Sequence, residues 1–243
     1  MRNSLCGALG FLALTSASLA QVPVSLPVPV VRQATIEWCW VAAAEMILKY
    51  KGAKSPRQCE IMERGYGGLP GSCCGDTSRC TQPGQITDIQ RIVAFYGGVL
   101  TNLNRPALPA ELYSILSQGS PVVAHLNLPT GGHFVVIRGM TWEPSPVGLI
   151  PIVQINDPMS SDPLVMPFDR LVGVWDAAVY VDPATPFSVN LQRGANEIQA
   201  CMADKVTRCM RACTSRGYSE ANCQSLICRP GVAANVEWDN DCK

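Results

Sequence analysis

The sequence predicts an α+β fold, with a helical first half, an antiparallel sheet in the second half, and a small disulfide-rich helical hairpin as a tail. Two observations carry the main part. Apolar residues recur at helical spacing from Cys39 to about Leu116, then at strand spacing from Pro121 to Val181. Helices first and strands second is the α+β order. A third observation sets off the tail. Beyond Pro186 the apolar content falls and Cys201, Cys209, Cys213, Cys223, Cys228 and Cys242 follow. A segment that small buries too little to stand alone, so cross-links are expected.

The chain opens MRNSLCGALGFLALTSASLAQ, with one early charge at Arg2, an apolar centre, and the small-residue close Ala17-Ser18-Leu19-Ala20. This is the layout of a signal peptide, residues 1–20, removed after Ala20. The apolar run is too short to span a bilayer comfortably. Cys6 precedes that run instead of following it, which argues against lipid attachment. The expectation is a secreted or periplasmic protein. Lysine plus arginine balances aspartate plus glutamate at 19 each, with no basic run. Neither nucleic acid nor a membrane surface is therefore expected as a partner.

From Gln21 to Val31 the chain is rich in proline and valine and reads as extended, polyproline-like or an edge strand. Cys39 opens a helix apolar on nearly all sides, hence buried, with Glu45 and Lys49 spaced for one ion pair and Gly52 as its cap. Ser55-Pro56 starts a second helix that carries Cys59 and Met62 and stops near Gly65. A glycine- and cysteine-rich loop follows, with Cys73, Cys74 and Cys80. Adjacent cysteines seldom bond each other, so Cys73 and Cys74 each reach elsewhere. A zinc site is the alternative for this cluster; export and the lack of paired C-x-x-C spacing favour disulfides.

Further helices run from Ile86 to Tyr96, ended by Gly97-Gly98, and from Pro109 to Gly119. Strands follow at Pro121–Leu128, at His133–Met140 and, after a proline-containing turn from Trp142 to Gly148, at Leu149–Asn156. Short pieces near Leu164–Met166 and Ala177–Val181 complete the sheet. Pro183–Pro186 reads as a linker, which divides the exported chain into a main domain at 21–182 and a cysteine-rich domain at 187–243. Cys213 to Cys223 nested inside Cys209 to Cys228 would staple the tail, with Cys201 to Cys242 tying its ends.

Apart from Cys6 and Cys39, the cysteines form an even set, which fits five bridges and one free thiol at Cys39. A thiol at a helix N-terminus is placed to become a thiolate, because unpaired backbone N–H groups favour negative charge there. Gln33, six residues earlier, offers an amide for a developing oxyanion. Only two histidines can serve as base. His125 is mid-strand and reads as a half-buried structural residue. His133 lies where a glycine-rich loop becomes a strand, at the rim of a cleft. The next strand ends at Asn156-Asp157, either of which could orient the imidazole, while a carboxylate would also favour its charged form.

Gln33 to Cys39, the Trp38-Cys39-Trp40 setting, Gly132-His133-Phe134-Val135-Val136, Gly119 with Pro121–Ala124, and Ile155-Asn156-Asp157-Pro158 together resemble papain-like cysteine proteases. The bacterial branch is most similar: staphopain-like enzymes, plant-pathogen effector proteases and peptidase domains of bacteriocin-exporting transporters. The resemblance covers roughly Val31 to Val181 and implies the papain-like fold for the main domain. It implies Cys39 as nucleophile, His133 as general base then acid, Gln33 as oxyanion-hole donor, and Asp157 as third member with Asn156 as the alternative. No cofactor or metal is implied.

The function expected is hydrolysis of peptide bonds through a thioester acyl-enzyme, with a protein or peptide substrate and an inhibitor or immunity protein as a further partner. Deamidation or transglutaminase-like acyl transfer on the same machinery is the nearest alternative. A non-catalytic binding or effector protein is the second.

Overall fold

The computed structural model describes residues 22–53, 57–66, 72–183, 204–224 and 228. The signal segment, Ser55-Pro56, linker residues 184–186 and the pair Cys201–Cys242 lie outside these residues. The fold is the expected α+β arrangement, a helical half followed by an antiparallel sheet, with disulfide pairs in the C-terminal region.

Helix α1 (Cys39–Tyr50) is central, and every residue from Trp40 to Leu48 on it is buried. That follows from its sequence, which is apolar around most of the circumference. Its one charged buried residue, Glu45, is matched by Lys49 at 2.7 Å and by the Gln58 amide at 3.0 Å. Gly52 takes φ +71 just past the end, the conformation in which glycine carries no Cβ penalty. Helices α2 (Gln58–Tyr66), α3 (Ser72–Gly75), α4 (Ile86–Phe95) and α5 (Pro109–Ser117) complete the first half. α1 packs on α2, on α4 and on the sheet.

The strands are β1 (Val24–Ser25), β2 (Leu100–Leu103), β3 (Val122–Leu128), β4 (Gly131–Ser145), β5 (Gly148–Asn156), β6 (Leu164–Pro167) and β7 (Trp175–Val181). They form one antiparallel sheet in the order β2-β7-β3-β4-β5-β6. β3 covers β4 only as far as Ile137, and β1 takes over the same strand at Gly139 and Met140. The proline- and valine-rich start of the chain is thus part of the fold, with Leu26, Val28 and Val31 buried in the core.

Two details differ from the sequence reading. The stretch from Trp142 is not a turn, because β4 continues to Ser145 and the chain reverses only at 146–147. Pro144 lies past the reach of β3 and β1, so its missing N–H removes no bond on that edge. Pro151 sits equally beyond β6, which begins its pairing at Ile152. The helix α6 (Phe168–Val174) and the strand β2 carried too short a pattern to be read.

In the tail, Cys213 of α7 (204–215) bonds Cys223, just past α8 (Glu220–Asn222), and Cys209 of α7 bonds Cys228, the nested pairing expected. Cys213, Cys223 and Cys228 make a small buried cluster of their own. Among the described residues no helix is long and apolar enough to cross a membrane.

Candidate active site

Cys39 is the first residue of α1 and is half-buried; among the described residues it is the free cysteine. The turn before it closes through Trp38 N–H to the Thr35 carbonyl at 3.2 Å, and no side chain caps the helix. An uncapped helix start leaves its backbone dipoles facing the sulfur.

The tryptophans on either side are fully buried. Their indole N–H groups donate to the carbonyls of Cys80 at 3.1 Å and Gln82 at 3.2 Å. They are core, clamped by the cysteine loop, and form no cleft wall. The Trp40 ring lies so close to Gly84 that a Cβ there would fall 2.4 Å from it. Two disulfides, Cys59–Cys74 and Cys73–Cys80, hold this loop, and buried Glu63 accepts the Cys73 and Cys74 N–H groups at 2.8 and 3.1 Å. These four cysteines are consumed by the bridges, which answers the zinc alternative.

β4 brings His133 to the site, 8% exposed, and the end of β5 brings Asp157. Imidazole Nε2 stands 2.7 Å from Asp157 Oδ1 and donates to that carboxylate. The other ring nitrogen is left for Cys39, whose sulfur is close enough to influence the imidazole's protonation. Burial pushes His133 down, but the Asp157 hydrogen bond, the neighbouring Cys39 sulfur and the negative charge of Asp157 raise it to about 9. Asp157 responds oppositely: burial raises it, yet its bonds to His133 and to the Met159 N–H, with the imidazolium charge, hold it below the ordinary carboxylate value. Cysteine, histidine and aspartate therefore meet, from three elements far apart in sequence.

Asn156 goes elsewhere. It is fully buried and its Nδ2 donates to the Val28 carbonyl at 2.9 Å, tying the end of β5 to the N-terminal segment. Gln33 is next to the site, but both amide hydrogens are committed, to the Thr35 carbonyl at 2.9 Å and the Ile36 carbonyl at 2.8 Å. To hold an oxyanion it must exchange one of these bonds. Its backbone N–H donates to the Pro158 carbonyl at 2.9 Å, which stitches the turn before the nucleophile to the turn after the acid. Gln58 braces the same turn by accepting the Ala34 N–H and donating to the Arg32 carbonyl. His125 is half-buried at mid-strand and paired with Asp176 at 2.7 Å. The carbonyl partners carry no side-chain pattern to read, and Asp176 reaches His125 only through a bulge in β7 that appears when β3 and β7 pair. Among the described residues no group of three or more potential ligands could hold a metal.

A sequence profile described as the Peptidase_C39 like family matches residues 25–183. No curated protein sequence matches the chain. Among solved structures it is similar to the peptidase domain of Streptococcus ComA, a bi-functional ABC transporter involved in a quorum-sensing pathway. There the identity is 15% and the TM-score 0.47, covering 64% of this chain and 98% of that one. A C39-like peptidase from Bacillus anthracis gives 16% identity and a TM-score of 0.46, covering 66% and 98%. A double glycine motif protease from an AMS/PCAT transporter, solved with a leader peptide, gives 18% and 0.43, covering 65% and 96%. With the profile match extending over well over half its length, the chain belongs to the Peptidase_C39-like family of cysteine peptidases.

Proposed function

We propose that this protein is an exported cysteine peptidase that cleaves peptide bonds through Cys39, His133 and Asp157. The observation that carries the reading is the His133–Asp157 bond at 2.7 Å, on a ring whose protonation the one free thiol of the described residues also influences. The Cys39 thiolate attacks the scissile carbonyl carbon, and the electron pair moves to the oxygen. The Cys39 backbone N–H and Gln33, once it releases one of its loop bonds, stabilise that oxyanion. Imidazolium His133 then gives its proton to the leaving amine as the C–N bond breaks, which leaves a thioester. Deprotonated His133 next takes a proton from water, the hydroxide adds to the thioester, and the acid leaves with the thiolate restored. Asp157 keeps the ring turned toward the sulfur and favours its charged form.

Placing the acid directly before Pro158 supports the transporter-peptidase side of the bacterial branch over the staphopain-like side. Disulfides support an oxidising compartment outside the cytoplasm, reached through removal of residues 1–20. The domain division stays at 21–182, a linker at 183–186, and a tail at 187–243. The substrate is a protein or peptide, with an inhibitor or immunity protein as a further partner.

The test is cleavage of an unfolded protein or a peptide library by the mature chain, absent in Cys39→Ala. Release of ammonia from glutamine side chains, or transfer to an added amine, without new peptide ends would replace peptidase by deamidase or acyl transferase. No iodoacetamide labelling of Cys39 in the folded protein would leave a non-catalytic binding protein.

A further inference from the structure

His133 sits only two residues from the start of β4, where the β3–β4 hairpin turns through Pro129-Thr130 and Gly131 takes φ +122. Strand ends beside a turn are where pairing frays. Yet the ring must meet Cys39 on one edge and Asp157 on the other, a requirement of a few tenths of an ångström. Something has to brace the residues on either side of it.

His125 touches both. It lies on β3 opposite Phe134, and the two rings stand 4.7 Å apart, tilted by 48°. On the other side of His133, the His125 Nε2 edge occupies the space where Gly132 would carry a side chain: a Cβ there would lie 2.4 Å from it. The backbone of Gly132 is in an ordinary region, so the ring, not φ, is what keeps that position bare. The ring is in turn fixed by Asp176, Oδ2 to Nδ1 at 2.7 Å. Asp176 can reach because β7 is bulged there: His125 pairs with Ala177 and Leu126 with Trp175, which leaves Asp176 as the extra residue. A bulge re-aims a side chain that regular pleating would send to the other face.

We propose that His125, held by Asp176, is a positioning residue for His133. The pair is a second histidine–aspartate unit placed behind the first, with no contact to substrate. It clamps Gly132 and Phe134, so that the short free end of β4 delivers the imidazole between sulfur and carboxylate. The inference rests on reading His133 as the base, and its test separates the two.

The experiment compares wild type, His125→Ala, Gly132→Ala, the double variant, Asp176→Ala and Asp176→Asn in the full mature chain. Peptide hydrolysis, Cys39 alkylation rate, melting temperature and the downfield imidazole N–H resonance of His133 are followed. His125→Ala and Gly132→Ala should each lower kcat about tenfold or more with KM nearly unchanged, since misplacement by about 1 Å costs on the order of 10²-fold. The double variant should lose no more than His125→Ala alone, because the added methyl then enters vacated space. Asp176→Asn, which keeps an acceptor, should recover most of what Asp176→Ala loses, and the His133 resonance should broaden in every variant with low kcat. Multiplying losses in the double variant, or kcat near wild type with an unchanged resonance, overturns the proposal. Losses that merely follow the unfolded fraction overturn it as well. A wild type that neither cleaves peptides nor alkylates at Cys39 overturns the peptidase reading instead, and the resonance still reports whether His125 positions His133.

Discussion

Asp157 Oδ1 accepts two hydrogen bonds at once, from His133 Nε2 at 2.7 Å and from the Met159 N–H at 2.8 Å. The second bond comes from its own turn, so the carboxylate is aimed before the imidazole arrives. A preset acceptor fixes which ring nitrogen carries the outward proton and leaves the other for sulfur.

The pH behaviour follows from the two partners. His133 is raised from 6.5 to about 9 in the fold, so its contribution to stability is complete below about 6.5 and is lost as pH rises through about 9. Asp157 is lowered, so its contribution is present above about 3.8 and is lost as pH falls through its folded value. Activity that uses the imidazolium should decline above about 9. In Asp157→Asn that upper limb should move toward the ordinary imidazole range, with kcat down roughly 10²–10⁴-fold. Profiles of kcat and melting temperature from acid to alkaline pH check both. An unmoved upper limb would remove Asp157 from the site.

Asn156 gives the contrasting result. Its side chain is buried and bonded to Val28, away from the imidazole. Asn156→Ala should lower stability by about 1–3 kcal/mol, because the Val28 carbonyl loses its partner. Folded molecules should keep kcat within a few-fold, measured against the folded fraction. A fall like that of Asp157→Asn at unchanged melting temperature would reverse the roles of the neighbours.

The parts of this site that were readable are those written locally. Cys39 opens an apolar helix, His133 starts a strand and Asp157 ends one, and each position is set by chain pattern within a few residues. What holds them together was not readable. Gln33 N–H to the Pro158 carbonyl spans the two halves of the fold through main-chain atoms that any residue possesses. The Trp38 and Trp40 clamps end on carbonyls for the same reason. The bulge at Asp176 reflects strand register, which emerges only when β3 and β7 pair. The tail pairing was one of fifteen the cysteine count allows; the i,i+4 spacing of Cys209 and Cys213 pointed to the nested arrangement that the structure has.

Gln33 separates two kinds of help. As an oxyanion donor it acts only when a tetrahedral oxygen forms, and Gln33→Ala should then cost roughly 10²-fold in kcat. Alkylation of Cys39 by iodoacetamide forms no such oxygen, so its rate should stay near wild type. If Gln33 matters only by bracing Thr35 and Ile36, the alkylation rate falls together with kcat. Gln33→Glu, which lacks the donor, should match the alanine variant in kcat.

The cysteine loop should govern the nucleophile from a distance. Its carbonyls at Cys80 and Gln82 hold the two indoles that flank Cys39, and Cys73–Cys80 closes the loop next to them. Opening that short bridge by Cys73→Ser with Cys80→Ser should cost about 2–3 kcal/mol through the freed unfolded chain. It should also let Trp38 and Trp40 meet solvent, read as a red shift in tryptophan emission and greater quenching by acrylamide. Wild type titrated with reductant should first gain activity as any oxidised Cys39 is restored, then lose it as the loop bridges open. The nucleophile must be reduced and its support oxidised, so activity should peak between the two. A rise that simply levels off, with emission unchanged, would mean that the loop carries the indoles without its disulfide.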